Sequence, residues 1–417
     1  MLRMKSKFII FFFLLFIFSF KANAQNQTIS MQPSYAHQIF YSMENGEIAN
    51  IDNTDWDLAF STGAMSSSIR INGGMGTELY LYPLGDTTNW NTFNSSNISS
   101  WSPVHNSDTN WQIGAFDKHS TSLFDMGWGI YNIATHYVYG DSIYAIKTIN
   151  GNWKKLWIQQ LAQGEYNFKY ANLDGTGEVD ASIQQSNFAN RNFAYYSLDQ
   201  NTSINREPNS QDWDITFTKY ITPVQGMPYG VTGVLSNIGI KVAQADNLPS
   251  PNSYDDYMQH QMMSEMNAIG YDWKEFDMST MSYSTNTNRC YFIKDFNEKI
   301  WRVVFTSFEG SSTGIVQFNT EEITNSTFIS ESKSDISTFE IYPNPITENN
   351  LTVIYDNTTE KTELYIYDIT GKKIYTKMLY GSGFQAQLIT IPHLNKGAYI
   401  AEITSKGSTF QKKIIVK

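Results

Sequence analysis

Hydrophobic and polar residues alternate in short runs along most of the chain, which is the period of β-strands. Trp56, Leu58 and Phe60 alternate with Asp57 and Ala59, so we expect a strand that places the three large side chains on one core-facing side. Six further runs, separated by glycine-containing turns, cover residues 351–355, 364–369, 374–378, 388–391, 399–404 and 410–416. This spacing predicts an all-β chain that ends in a small β-sandwich.

One order of motifs occurs twice in the middle of the chain. Trp-Asp-Leu-Ala-Phe at residues 56–60 returns as Trp-Asp-Ile-Thr-Phe at residues 213–217, and a Tyr-Ser pair precedes both. Tyr-Ala-Ile-Lys at residues 144–147 returns as Tyr-Phe-Ile-Lys at residues 291–294. A repeated order of elements is typical of tandem structural units. We therefore predict two β modules, residues 25–187 and 188–329.

The first module adds a second feature to this pattern, Ile69-Arg70 followed by Asn72-Gly73-Gly74. Together with the Trp-Asp strand and a closing pair of strands, it resembles the HmuY-like haem-binding family. The resemblance spans both middle modules. It implies an all-β, secreted or surface-exposed protein that binds haem, free or from a haem-carrying protein, through axial His or Met ligands.

The N-terminal residues 1–24 have the pattern of a secretory signal peptide. Arg3, Lys5 and Lys7 precede the apolar residues 8–20, and Ala-Asn-Ala follows shortly after them. The alternative is a membrane anchor, but about 20 apolar residues are needed to span a bilayer. We expect cleavage and export across the inner membrane, with no membrane span in the mature chain.

The C-terminal segment contains several motifs that belong together. They are Tyr-Pro-Asn-Pro at residues 342–345, Asp-Ile-Thr-Gly-Lys at 368–372, Leu-Asn-Lys-Gly-Ala-Tyr at 394–399 and Lys-Lys-Ile-Ile-Val-Lys at 412–417. They resemble the C-terminal sorting domain of type IX secretion substrates. The resemblance implies that residues 339–417, after a linker at 330–338, are recognised by outer-membrane export machinery, and that the protein reaches the surface or the medium through the periplasm.

Charge and cysteine content narrow the function classes. The chain has 29 Lys and Arg against 40 Asp and Glu, a net charge of −11. Residues 25–339 carry 16 basic and 33 acidic residues, net −17, whereas residues 340–417 carry nine Lys and seven acidic residues, net +2. This balance argues against nucleic acid as a partner. Cys290 is the one cysteine, and we expect it to be a buried, inert thiol.

Soft ligands for haem iron are concentrated in the second module. The family resemblance places one ligand in a His-Gln-Met-like stretch, matched here by His260 or Met262, and the other shortly after a Trp-x-x-Phe element, matched by Met278. We favour Met278 with Met262, and Met281 is a further candidate. The alternative is that residues 255–266 form an amphipathic helix or lid whose methionines fill gaps in the core.

The first module departs from this pattern. Aligning Trp128 with Trp273 places Ile133 at the position of Met278, and isoleucine has no donor for iron. His136 aligns with Met281 and is a candidate for a shifted site, although a lone histidine near a strand is commonly a hydrogen-bonded structural residue. Further donors precede it, and they are His105, His119 and Met126.

Other chemistries have weaker sequence support. The sequence lacks the common motifs of hydrolases, zinc peptidases and P-loop enzymes, so we expect no enzymatic activity. The oxygen-rich residues 172–180 suggest either a hairpin turn or a cation loop without the spacing of an EF-hand. The polar segment 89–110 and its tryptophans suggest a glycan-binding loop or a surface loop with its rings turned inward. A surface interaction or glycan-binding protein is therefore the alternative to a haem-binding protein.

Overall fold

The structure is a computed structural model that describes residues 25–63, 66–323, 336–346, 349–357, 361–405 and 408–417. The predicted signal peptide and most of the predicted linker lie outside these residues. The chain divides into two compact units at residue 324, which we call the body and the tail. In the described residues no helix is long and apolar enough to cross a membrane.

The predicted all-β class is confirmed. The helical elements of the described residues are short 3₁₀ helices, which lie at Pro33–Tyr35, Gly73–Met75, Thr87–Thr92, Ile98–Ser100, Gln185–Phe188, Pro251–Ser253, Tyr257–Gln259 and Gly310–Ser312. Everything else that is regular is β-structure. The first three strands, which we call the N-terminal arm, are Gln25–Ser30 (β1), His37–Ser42 (β2) and Gly46–Asp52 (β3).

Lobe 1 of the body consists of twelve consecutive strands. They are Leu58–Ser61 (β4), Ile69–Ile71 (β5), Glu78–Leu81 (β6), Pro103–Val104 (β7), Gly129–Asn132 (β8), Tyr137–Gly140 (β9), Tyr144–Lys147 (β10), Trp153–Ala162 (β11), Glu165–Asn172 (β12), Val179–Gln184 (β13), Phe193–Ser197 (β14) and Thr202–Ile204 (β15). One sheet has the path β13-β12-β11-β10-β6-β7 and also contains β8 and β9; the other is β15-β14-β4-β5.

Lobe 2 takes the remaining strands of the body together with the arm. They are Ile215–Val224 (β16), Met227–Ser236 (β17), Lys241–Ala245 (β18), Lys274–Asp277 (β19), Ser282–Thr285 (β20), Cys290–Lys294 (β21), Ile300–Phe308 (β22) and Ile315–Glu322 (β23). Its sheets are β1-β23-β22-β21-β18 and β17-β16-β2-β3, with the separate hairpin β19-β20. The order is that of lobe 1 when β1, β2 and β3 take the places of β13, β14 and β15.

The lobes are therefore out of phase with the sequence repeats. The arm belongs to the first repeat in sequence, but β1 pairs with β23 and β2 pairs with β16, both in lobe 2. The arm supplies five buried side chains to the core of lobe 2, namely Ile29, Met31, Ile39, Tyr41 and Met43. Strand β14 of the second repeat pairs with β4 and packs in lobe 1. Each Tyr-Ser strand thus lies beside the Trp-Asp strand of the other repeat.

The aspartates of the repeated motif fix this arrangement. Asp57 is buried and accepts hydrogen bonds from the backbone N–H of Leu198 at 2.9 Å and of Ile149 at 2.9 Å. Asp214 accepts one from the N–H of Met43 at 2.7 Å. Each carboxylate therefore holds the end of the Tyr-Ser strand that pairs beside it. A buried polar group needs such partners, because leaving it unpaired costs about 1–3 kcal/mol.

The expectation for the tryptophan of the first motif was wrong. Leu58 and Phe60 enter the main core of lobe 1, but Trp56 precedes β4 and packs with Ala59 and Tyr195 on the opposite face. Its indole N–H donates to Asn53 at 2.8 Å. The alternation of strand faces starts only where the extended backbone starts, and Trp56 lies before that point.

The tail forms a two-sheet sandwich, as its alternating runs predict. Its strands are Ile336–Tyr342 (β24), Asn350–Asn357 (β25), Lys361–Asp368 (β26), Lys373–Tyr380 (β27), Gly383–Thr390 (β28), Gly397–Ser405 (β29) and Ser408–Val416 (β30). The sheets are β24-β25-β28 and β27-β26-β29-β30, and one apolar core lies between them.

Because the arm closes lobe 2, a pair of cysteines introduced into β1 and β23 should form a cross-link. Thr28 lies opposite Gln317 in the register of β1 and β23, so Thr28→Cys with Gln317→Cys should form a disulfide under mild oxidation. Non-reducing peptide mapping by mass spectrometry detects it. Asn167 occupies the equivalent place in β12, so Thr28→Cys with Asn167→Cys is the matched control. A cross-link in the control pair and none in the first pair would place the arm in lobe 1.

Candidate functional site

Two equivalent hairpins carry most of the predicted ligands. One joins β8 to β9 through residues 133–136, and the other joins β19 to β20 through residues 278–281. His136 and Met281 end these turns with positive φ values of 61° and 52°. The side chains of Asn132 and Asp277 open the turns by accepting hydrogen bonds from backbone N–H groups two residues ahead. Ile133 in the first turn therefore corresponds in position to Met278 in the second, and His136 corresponds to Met281.

The turn in lobe 2 exposes its methionines on a well-anchored hairpin. Met278 is 76% exposed and Met281 is 70% exposed. The base is fixed because the ring of Tyr283 packs against Phe308 at 4.7 Å and against Phe276 at 4.9 Å between centroids. Two thioethers thus lie open to solvent on a hairpin whose base is packed against lobe 2.

Met262 and His260 lie in a different environment. Met262 is half-buried against an outer cluster that contains Cys290 and Phe292, whereas the hairpin residue Tyr283 packs against the inner core of lobe 2. Alternate residues of β21 face the two clusters, so these contacts are on opposite faces of the five-stranded sheet. The Nε2 atom of His260 is 2.9 Å from the hydroxyl of Tyr254. The pairing of Met278 with Met262 stays a prediction.

The alternative of an amphipathic helix over residues 255–266 was wrong. The helical structure there is the three-residue 3₁₀ helix Tyr257–Gln259, and the segment is otherwise irregular. Met263 forms an isolated bridge with Val242 and packs against the inner core, which agrees with methionines that fill gaps.

The turn in lobe 1 presents an imidazole. His136 is exposed, and its Nδ1 atom is 2.7 Å from the hydroxyl of Tyr131. Tyr131 stacks on Phe124 with ring centroids 6.3 Å apart. This arrangement leaves Nε2 of His136 available, and histidines that bind metals commonly use their second nitrogen in such a hydrogen bond.

Sequence reasoning missed a set of buried charges between the lobes. Arg70 is 6% exposed and donates four hydrogen bonds to backbone carbonyls of residues 107–113, the shortest at 2.8 Å to Ser107. Arg206 donates to Gln38 at 2.7 Å and to the carbonyl of Asp52 at 2.8 Å, and so ties the arm to the connection between the lobes. The only sequence signal was an arginine between two isoleucines of a short strand.

A cleft of about 690 Å³, measured with its open mouth, lies at this seam between the lobes. Its aromatic rings already have partners: the guanidinium of Arg70 lies 5.0 Å from the ring of Trp111, and that of Arg206 lies 5.1 Å from the ring of Tyr195. Occupied ring faces leave little stacking surface for a ligand, so the cleft serves the contact between the lobes.

The tryptophans of segment 89–110 and its flank turn inward. Trp90 is 4% exposed and lies under the Nζ atom of Lys155 at 4.4 Å. Trp101 packs edge-on against Tyr82, and Trp111 donates to the carbonyl of Ser236 at 2.8 Å. Of the two interpretations of this segment, the structure agrees with the inward-turned loop.

The oxygen-rich segment 172–180 and Cys290 have structural surroundings. Residues 172–180 form the hairpin of β12 and β13, in whose turn Asp174 accepts hydrogen bonds from the N–H and hydroxyl of Thr176. Cys290 is buried, and burial raises the pKa of its thiol to about 12. Within the described residues no group of three or more His, Cys, Asp or Glu side chains is arranged to hold a metal ion.

Comparison with known proteins identifies two parts of the chain. Residues 34–171 match the family model described as HmuY protein, and residues 340–417 match the one described as secretion system C-terminal sorting domain. No curated protein matches the chain. A solved structure described as the BSP domain of a biofilm-associated protein aligns over 92% of this chain and 82% of its own, at 10% identity and a TM-score of 0.17, too low to establish a common fold.

Buried carboxyls of the body predict how stability depends on pH. Burial raises the pKa of Glu207 to about 7 and that of Asp214 to about 6. The folded state therefore binds more protons than the unfolded state between pH 5 and 7, so the free energy of unfolding should fall as pH rises through this window. Guanidinium denaturation at pH 5, 6 and 7.5 measures this.

Glu207→Gln provides the comparison for this measurement. The variant keeps an amide oxygen that can accept from the N–H of Asn192 or Phe193 but removes the titrating carboxyl, so its stability should vary less with pH. A wild-type protein whose stability rises from pH 5 to 7.5, or an unchanged slope in the variant, contradicts the assignment.

Proposed function

We propose, from the HmuY domain and the type IX sorting domain that this chain carries, that it is a secreted haem-binding protein. The sorting domain directs export to the cell surface or beyond. The proposal concerns the body of the chain, which binds haem at the hairpin turns and presents it outside the cell. The chain then has no catalytic role of its own.

The observation that carries the proposal is the exposure of Met278 and Met281 on one short turn. Apolar side chains gain about 25 cal/mol per Å² when they leave water, so an apolar ligand that covered both methionines would be stabilised by their burial. A porphyrin offers an apolar face that would cover them, and its iron accepts thioether donors. Phe276, 38% exposed on the same hairpin, adds aromatic surface. The donor chemistry of the turn therefore fits haem.

Lobe 1 supports the proposal with a different donor. His136 occupies the position of Met281, and its hydrogen bond to Tyr131 would hold the ring while Nε2 meets the iron. Ile133, 62% exposed, would supply apolar contact but no ligand. The family match covers only the first repeat, so the capacity of lobe 2 rests on the equivalence of the two hairpins.

Long-range charge does not assist capture. Residues 25–339 have a net charge of −17, which repels the two propionates of haem. Affinity must then come from burial of the porphyrin and from iron coordination. Both act at short range, so individual side chains on the turns should dominate the binding energy.

Haem titration of the purified protein tests the proposal. We expect a saturable Soret shift, and Met278→Ala with Met281→Ala should weaken binding by about tenfold or more, which corresponds to about 1.4 kcal/mol or more, because the thioether donors to iron are lost. Met227→Ala is the matched control, because Met227 is 68% exposed on β17 and belongs to neither turn. His136→Ala measures the contribution of the lobe 1 imidazole to haem affinity, and Met262→Ala measures that of the ligand that the sequence pairs with Met278.

The outcomes are separable. A Soret shift that survives the loss of Met278, Met281, Met262, His260 and His136 together indicates adsorption and contradicts the proposal. Absence of any shift leaves the alternative, a surface interaction or glycan-binding protein on an HmuY-like scaffold, and a glycan array is then the informative screen.

A further inference from the structure

Three of the sequence motifs that mark the sorting domain meet at one end of the tail. Asn344, in the Tyr-Pro-Asn-Pro motif, donates to the carbonyl of Lys413 at 3.0 Å and accepts from the N–H of Ile415 at 3.0 Å. Ile346 donates to the carbonyl of Ile415 at 2.7 Å and accepts from the N–H of Lys417 at 3.0 Å. The N–H of Ile391, near the Leu-Asn-Lys-Gly motif, donates to the carbonyl of Asn349 at 2.8 Å.

These motifs enclose a cavity of about 550 Å³, measured with its open mouth. Ile346, Ile391 and Leu394 line it with buried apolar side chains, and Lys396 and Lys417 line it with exposed ones. A pocket with an apolar floor and a few polar groups at its edge is the usual form of a binding site.

The side chains of the two lysines form no ion pair within the described part of the tail. Lys412, on β30, forms an ion pair with Glu340. No ion pair among the described residues includes Lys396 or Lys417. Both side chains are exposed. Their ammonium groups are therefore available to an outside partner with carboxylates.

Charge complementarity indicates what kind of partner this is. The tail carries a net charge of +2, whereas residues 25–339 carry −17. A partner with an acidic surface would repel the cargo and attract the tail, so it would select this end of an otherwise acidic chain.

We propose that this cavity is the docking site for an acidic, extended segment of the type IX export machinery. An apolar side chain of that segment would enter the floor beside Leu394, and its carboxylates would contact Lys396 and Lys417. This inference rests on the proposed export by type IX secretion and names the recognition site for it.

The test is secretion of the full chain from a bacterium with a type IX system. Lys396→Glu with Lys417→Glu should lower the secreted and surface amount by more than about tenfold and leave the protein in the periplasm, since like charges at a contact cost several kcal/mol. Lys377→Glu, an exposed lysine of β27 outside the cavity, is the matched control and should be secreted normally. Unchanged thermal unfolding of the purified variant verifies its fold.

Deletion of residues 340–417 separates this inference from the proposed export route. If the deletion abolishes secretion and the double charge reversal does not, the docking site is wrong and type IX export stands. If the deletion has no effect, the export route itself is wrong. If the reversed variant leaves the cell but is no longer held at the surface, the lysines contact lipopolysaccharide instead, which also overturns the inference.

Discussion

The body of this protein depends on the pairing of its first strands with its last ones. Without β1 and β2, the strands β23 and β16 would have free edges, and lobe 2 would lose Ile39 and Tyr41 from its core. Free edges invite association between chains, so closure by the arm also limits pairing with other strands. Asp214 fastens the arm through one buried hydrogen bond, and Asp57 does the same for the equivalent strand of lobe 1.

The sequence predicts the elements of this fold better than their partners. Alternation and repeats indicate an all-β chain, two modules and a sandwich tail because each depends on local pattern. The phase of the lobes is not local: the Tyr-Ser strand of either repeat fits beside the Trp-Asp strand of either repeat, and the pattern is the same in both cases. The sequence pattern also does not predict the burial of Arg70, because its hydrogen-bond partners are backbone carbonyls of a loop distant in sequence.

The candidate site shows the same limit. Aligning Trp128 with Trp273 was sufficient to place His136 at the position of Met281, because a buried tryptophan leads into each hairpin. Whether Met278 and Met262 meet depends on the path of residues 246–273. That segment is largely irregular, and no periodicity in the sequence specifies its path. The two equivalent hairpins carry different side chains that could bind iron, an imidazole in lobe 1 and two thioethers in lobe 2. A soft thioether sulfur favours ferrous over ferric iron.

The most direct test of thioether ligation in lobe 2 is the affinity of the protein for ferrous haem relative to ferric haem, measured under anaerobic and oxidising conditions on a His136→Ala background. Coordination by Met278 or Met281 predicts tighter binding of ferrous haem. Equal affinity for the two oxidation states, or a preference for ferric haem, would contradict it.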